Sequence, residues 1–294
     1  MNVKIEAKSC CGVIVTFFPD KDFEKNIALI HQQIQNVVIV DNSAAHNVHT
    51  RLEGIAKTYN ATLIKNDKNL GIGEALNQGV EHSKLTGAEW LFCFDQDSQI
   101  RPDFFDIMCR AASSQTNRYF LLGCNYIDAK SNRSRIPLCK QGARCELVER
   151  KTVITSGMLI PIPLIELIGD FRADYFIDSV DHEYCLRARK NKYPVLITPE
   201  VGMSHLIGAN EPGSNCFTSL VPRHNSTRKY YMTRNALLTA KEYWSTEKMW
   251  GLKQLVRIIV ETLSVILLED DKRKKLSAML KGFRDAFKQQ TGAL

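Results

Sequence analysis

The sequence predicts an α/β protein in which a doubly wound, mostly parallel sheet is followed by a basic, helical C-terminal region. Three observations lead there. Short apolar, β-branched runs alternate with helical segments as far as Asp95. Each run ends at a polar residue or a turn signal, as strands do at the ligand-facing edge of such sheets. From about residue 226 to 290 the pattern is helical, and residues 241–294 hold 11 Lys/Arg against 7 Asp/Glu.

The elements follow in order. GVIVTFF (12–18) is a buried type of strand bounded by Pro19, and a helix is expected over 21–34. VVIVD (37–41) is the second strand, with Asn42-Ser43 as its turn. A helix over 46–58 leads to ATLIKN (61–66). In NLGIGEALNQGVEHSKL (69–85), Ile72, Ala75, Leu76, Gly79 and Val80 recur at helical spacing, and WLFCFD (90–95) is the next strand. Beyond about residue 115 the order is less regular. FLLGCNYI (120–127) and CELVERKTVITSGMLIPI (145–162) read as strands, and 163–168 as a helix. YFIDSVDHEYCLRARKN (175–191) starts extended and becomes helical, and PVLITPEVGMSH (194–205) is extended again.

Composition narrows the function. A formal net charge of +7 suits an anionic ligand or surface. Zinc-finger spacing and RNP-like runs are lacking, so nucleic acid is not expected as a partner. Nine scattered cysteines, without a CxxC pair, suggest free thiols in a reducing cytoplasm. The N-terminus lacks a secretory pattern. The most apolar stretch, 251–268, is interrupted by Lys253, Arg257 and Glu261 and makes a poor membrane span.

Five segments carry candidate chemistry. In DQDS, Asp95 and Asp97 lie at i and i+2 just past a strand; if strand alternation persists, both face one side and suit a hard divalent cation. Aspartates are also ordinary turn residues there. The glycines of NLGIGEALNQG do not follow the first strand, which argues against a dinucleotide fingerprint; they suit a tight helix entry beside a nucleotide or a plain capped helix. In FIDSVDHEYCLRARK, Asp178, Asp181 and Glu183 can provide a general base, or simply an acidic helix start. His205 in GMSHLIG can touch a metal or a diphosphate, or be structural. PRHNSTRKYYMTRN places Arg223, Arg228, Lys229 and Arg234 beside Tyr230 and Tyr231, which suits diphosphate or a solvated helix face.

Together, VIVTFFPD, VVIVDNSA, NDKNLGIGEALNQG, WLFCFDQDS, TSGMLIP, FIDSVDHEYCLR, the SHLIG histidine and RKYYMTRN resemble glycosyltransferase family 2, and within it bacterial rhamnosyltransferases. The resemblance spans roughly residues 10–240, and KGFRDAFKQQTG is similar to the family's closing helix. It implies a GT-A fold, with a Rossmann-like nucleotide-binding half and an acceptor half. It implies that Thr16, Phe17, Asp41, Asn69 and Gly71 line the nucleotide pocket, that Asp95 sits near the ribose, and that Asp97 and His205 hold Mg2+ or Mn2+. Arg228 and Arg234 would hold phosphates, Asp181 would be the catalytic base, and Ser156, Gly157, Asp178 and Glu183 would support it or contact the acceptor. The family's acidic pair falls here on Val180-Asp181, so the first acid is missing and Asp178 or Glu183 would substitute for it.

The implied reaction is an inverting transfer from dTDP-L-rhamnose to a saccharide on an undecaprenyl-diphosphate lipid, in O-antigen or related polysaccharide synthesis. UDP-galactofuranose and UDP-glucose are the rival donors. A sugar-nucleotide pyrophosphorylase would want a Gly- and Arg-rich loop where TFFPD stands. A non-catalytic nucleotide-binding protein would not need an acid at 181. The expected division is 1–240, catalytic, and 241–294, helices resting on the inner membrane surface or packing as a bundle or homodimer face. The expected location is cytoplasmic, or peripheral on the inner face of the membrane.

Overall fold

A computed structural model describes residues 2–128, 133–138, 146–205 and 224–294, with His205 described by its backbone only. Cys139, Cys145, Cys216, Arg223 and the end of the SHLIG segment lie outside the described residues. The first half is the alternation expected. Strands β1 (Cys10–Thr16), β2 (Asn36–Asp41), β3 (Thr62–Lys65) and β4 (Trp90–Asp95) are connected by helices α1 (Phe23–Gln33), α2 (His46–Thr58) and α3 (Ile72–Leu85). They lie in the order β3-β2-β1-β4, all parallel. The second half adds β5 (Gln99–Ile100), α4 (Phe104–Ser113), β6 (Leu121–Asp128), β7 (Arg133–Ser134), β8 (Val148–Glu149), β9 (Met158–Pro161), α5 (Ile162–Ile168), α6 (Val180–Lys190) and β10 (Val195–His205). The sheet continues β4-β9-β6-β10-β5, with β9 antiparallel to both neighbours and β6 parallel to β10.

The strands are near-continuous apolar runs because helices cover both faces of the sheet. Side chains alternate between the two cores. Ile14, Val37, Ile39, Phe92 and Phe94 face the core under α1, α2 and α4. Val13, Val38, Val40, Leu91 and Cys93 face the core under α3, α5 and α6. The chain builds outward from β1 to β3 and then returns to place β4 on the other side of β1. This reversal opens a crevice at the carboxyl ends of β1 and β4.

Two local expectations are corrected. The first strand stops at Thr16, not Phe18. Phe18 takes φ +47°, and Phe17 and Phe18 are 49% and 54% exposed at the rim of the sheet. Of 145–162, only Val148–Glu149 and Met158–Pro161 are strands among the described residues. A turn from Thr155 to Met158, with Gly157 at φ +74°, separates them.

The C-terminal region is helical as expected: α7 (Ser226–Glu242), α8 (Lys248–Leu268) and α9 (Lys272–Phe287). Asn225 caps α7 by accepting from the Arg228 amide at 2.8 Å. Buried Lys229 ties the three helices together, donating to Glu261 at 2.5 Å and Glu269 at 2.8 Å, and Glu269 also accepts from Lys275 at 2.9 Å. Such charges are tolerated inside because each has a partner. The described cysteines are free, and burial pushes thiols such as Cys11 up to about 11, so they remain protonated and inert.

Gly79 of α3 lies so close to β1 that a Cβ there would stand 2.3 Å from a methyl of Val13. Gly79→Ala is expected to lose stability by about 1–3 kcal/mol through overpacking, despite alanine's better helix propensity. Urea unfolding at neutral pH checks this; an unchanged midpoint would contradict the close contact.

Candidate active site

At the β1/β4 crevice lies a cavity of about 530 Å³. Its floor comes from strand ends, through Thr16, Phe17, Asp95 and Gln96. One wall is the approach to α3, with Asn69 and Gly71. The opposite wall is the loop into α6, with Phe176, Asp178, Asp181 and His182. The C-terminal helices close it through Arg228, Lys229, Gln254, Arg257 and Glu261. Asp95 and Asp181, distant in the chain, thus share one cavity.

The floor is braced from beneath. Asp41 is fully buried and accepts from Thr16 Oγ1 at 2.8 Å and from the Ser43 amide and hydroxyl at 3.1 and 2.7 Å. His49 Nε2 comes within 3.1 Å of the same carboxylate without the alignment of a hydrogen bond. Asp41 therefore does not line the pocket as expected; its oxygens are spent holding Thr16 and the turn. Ser43 Oγ in turn accepts from the Phe18 amide at 2.7 Å.

The DQDS segment is a turn, with the Ser98 amide donating to the Asp95 carbonyl at 3.1 Å. Strand alternation therefore ends at Asp95, so Asp95 lines the cavity while Asp97 is half-buried outside its lining. Ser98 Oγ accepts from the Asp95 amide at 2.9 Å and shares a short hydrogen bond with Ser156 Oγ. Ser156 thus braces the turn from a buried position. Gly157 lies behind it, where a Cβ would stand 2.7 Å from the Met203 sulfur. Gln96, which the sequence reasoning passed over, accepts from the Phe17 amide at 2.7 Å and joins the two strand ends. β5 pairs with β10 through Ile100–Met203 and Gln99–Ser204. β10 runs one residue further, to His205, whose backbone is in register with Asp128 of β6.

The α3 wall depends on glycine. Asn42 donates to the Gly71 carbonyl at 3.1 Å, and Asn69 Oδ1 accepts from the Gly71 amide at 2.9 Å. Gly71 has φ +86°, and a Cβ there would stand 2.5 Å from the Phe176 carbonyl oxygen. A Cβ at Gly73 would stand equally close, 2.5 Å, to the Arg172 carbonyl oxygen. The Ile72 amide donates to the Phe176 carbonyl at 2.7 Å, welding this wall to the α6 loop.

That loop is strained. Phe176 (φ +66°, ψ −64°) forms a γ-turn closed by the Ile177 amide and the Tyr175 carbonyl at 2.8 Å. Asp178 and Ser179 follow at φ +63° and +64°. Each such conformation costs roughly 1–3 kcal/mol and persists only where the surroundings enforce it. Asn235 does so, donating from Nδ2 to the carbonyls of Tyr175 (2.9 Å), Ile177 (2.7 Å) and Asp178 (3.0 Å). Arg234 adds bonds to the carbonyls of Tyr175 (3.1 Å), Asp174 (3.3 Å) and Gly292 (2.7 Å). Its guanidinium packs over the rings of Tyr230 and Tyr231. Arg234 is 1% exposed, so it anchors the loop and cannot hold a phosphate, contrary to expectation.

Glu183 is also reassigned. It is buried, paired with Arg187 at 2.5 Å, and accepts from the Tyr243 hydroxyl at 2.7 Å. It faces the C-terminal helices and does not support Asp181. Asp178 does line the cavity and pairs with Arg228 at 3.2 Å. Burial outweighs that pairing and raises the Asp178 carboxyl above its ordinary range, and the Asp181 charge pushes the same way.

Hard oxygen donors for a divalent cation are present at the turn, in Asp95 and Asp97. No cluster of three His, Cys, Asp or Glu side chains is found among the described residues. Two carboxylates completed by substrate phosphate oxygens suit Mg2+ better than an all-protein cage would.

Known proteins resemble this chain in sequence and in fold. The family model described as glycosyl transferase family 2 matches residues 13–160. The dTDP-rhamnosyl transferase RfbF of Shigella flexneri is 30% identical over 289 residues, covering 93% of this chain and 95% of that protein. Among solved structures, S. aureus TarS residues 1–349 superpose with a TM-score of 0.63 at 12% identity, over 94% of this chain and 80% of that one. The mannosyltransferase PcManGT of Pyrobaculum calidifontis, solved with GDP-Man and Mn2+, superposes with a TM-score of 0.56 at 12% identity, over 96% and 88%.

The Asp178 shift has a testable sign. The fold favours the protonated carboxyl, so that stabilisation is complete below the unfolded value of about 3.9 and is lost as pH rises through the folded value. Asp178→Asn keeps the neutral form at all pH. It is expected to be more stable than the wild type at pH 7 and to lose that advantage near pH 4. Equal urea midpoint differences at both pH values would contradict this.

Proposed function

The chain belongs to glycosyltransferase family 2, with the α/β GT-A fold, and from that premise we propose that it transfers L-rhamnose from dTDP-L-rhamnose to a saccharide on an undecaprenyl-diphosphate lipid, at the inner face of a bacterial membrane. The observation that carries the chemistry is the single cavity shared by Asp95 and Asp181. The donor is supported by the activity named for the Shigella flexneri relative. Residues 1–240 act as the catalytic unit and 241–294 as the helical layer that closes it.

In this proposal the nucleotide lies along the strand ends and the α3 wall, against Thr16, Phe17, Asn69 and Gly71, with Asp95 at the ribose. Asp97 and His205 are the proposed holders of Mg2+ or Mn2+, with Asp95 beside them. When bound, the cation supplies positive charge at the donor diphosphate. Arg228 offers a planar set of donors to the same phosphates.

Asp181 takes the proton from the acceptor hydroxyl. That oxygen bonds to the anomeric carbon from the face opposite the diphosphate. The carbon–oxygen bond to the diphosphate breaks, and its electron pair leaves with dTDP. One displacement inverts the anomeric centre, unlike the two-carboxylate chemistry of glycosidases. Asp178 stands beside Asp181 in the cavity and contacts the acceptor as the missing first acid would.

A panel of sugar nucleotides with Mg2+ or Mn2+, read by released nucleoside diphosphate, tests the donor. Turnover confined to dTDP-rhamnose is expected; preference for UDP-galactofuranose or UDP-glucose would remove the rhamnosyl assignment. Asp181→Asn should lower turnover by about 10²–10⁴-fold while donor affinity, measured by calorimetry, stays within a few-fold. Retained turnover would reject Asp181 as base. Chelation should abolish transfer, and added Mg2+ or Mn2+ should restore it.

A further inference from the structure

Helix α8 is turned inside out. The side it presents to the cavity is polar, through Gln254, Arg257 and Glu261. The side it presents to solvent is apolar. Leu252, Val256, Ile259, Val260, Leu263 and Leu267 recur at three- and four-residue spacing and are each 38–69% exposed. The stripe runs about 22 Å along the helix. Next to it, α9 exposes Leu280, Phe283 and Phe287 at the same kind of spacing. A monomer rarely leaves a contiguous apolar face of this extent to water.

The charges around the stripe select what covers it. Lys253, Lys272, Arg273, Lys274, Lys281 and Arg284 are all exposed. The two carboxylates within these helices, Glu261 and Asp285, are buried. Exposed carboxylates stand beside them in the turn between the helices, at Asp270 and Asp271, but they are outnumbered, so the outer surface of α8 and α9 is apolar and net cationic. Two copies joined through this face by a twofold axis would set like charges against each other. An anionic bilayer accepts both features: the apolar stripes enter the headgroup boundary and the lysines and arginines stay at its edge. No helix among the described residues is long and apolar enough to cross a membrane. We propose that α8 and α9 lie in the plane of an anionic lipid surface. The cavity is then separated from that surface by the width of α8, about 10 Å. This deepens the proposed function, since it names the surface from which a lipid-linked acceptor would be drawn, and its test is read apart from turnover.

The full chain is co-sedimented with vesicles of phosphatidylcholine alone or mixed with phosphatidylglycerol. Binding to the anionic vesicles only, weakened by salt, is expected. The triple variant K272Q/R273Q/K274Q should lose affinity by about fivefold per cation removed. Ile259→Asp with Leu263→Asp should lose more than about tenfold. Both variants should hydrolyse donor like the wild type when vesicles are absent. A wild type that stays in the supernatant with anionic vesicles overturns the proposal. So does a dimer in analytical ultracentrifugation that the aspartate variant splits, which would assign the face to a second copy. Absence of donor hydrolysis in the wild type would sink the transferase assignment and leave the lipid result standing.

Discussion

The site depends on one set of hydrogen bonds: the grip of Arg234 and Asn235 on the carbonyls of residues 174–178. Three left-handed or γ-type conformations within four residues put Asp178 and the start of α6 at the cavity, and none of Phe176, Asp178 or Ser179 is a glycine. Left to itself the segment would relax. The grip comes from α7, and α7 is itself fixed to α8 and α9 by the buried Lys229 network. The C-terminal helices are thus part of the cavity's architecture rather than an appendage. They orient the acid that the proposed reaction needs.

The same helices invert the usual distribution of polarity. Their inner side carries Glu261, Arg257 and Gln254 toward the cavity, and their outer side carries leucine, isoleucine and valine. In water alone that arrangement would be unfavourable on both counts, because burying charge needs partners and exposing apolar area forgoes the main driving force of folding. Lys229, with Glu261, Glu269 and Lys275, satisfies the first condition.

The sheet was readable from the sequence because parallel strands buried on both faces leave unbroken apolar runs, and helix 46–58 and strand 90–95 fell at their observed limits. Strand ends were readable too, since Thr16, Phe17 and Asp95 meet where the topology reverses. What local pattern cannot show is which polar group faces inward to another polar group. Arg234 looks like any phosphate-binding arginine until the carbonyls of residues 174–175 and 292 are placed around it. Asp41 and Glu183 likewise each have a partner set by tertiary contact, in Thr16 and Tyr243. Gln96 stood inside the quoted motif yet was passed over, because its role depends on Phe17 from a neighbouring strand. Arg257 showed in the sequence only as an interruption of the apolar stretch 251–268, with nothing local to turn it toward a cavity.

The bare backbone contact at Gly71 and Gly73 has an evolutionary corollary. There the approach to α3 and the loop into α6 touch without a side chain between them. Any residue larger than glycine would push on the loop that leads to Asp178 and Asp181 before it could reshape the α3 side of the cavity. Under the proposed function, drift toward a new sugar nucleotide is therefore channelled to the floor, around Phe17 and Gln96, where a substitution can alter selectivity without moving that loop.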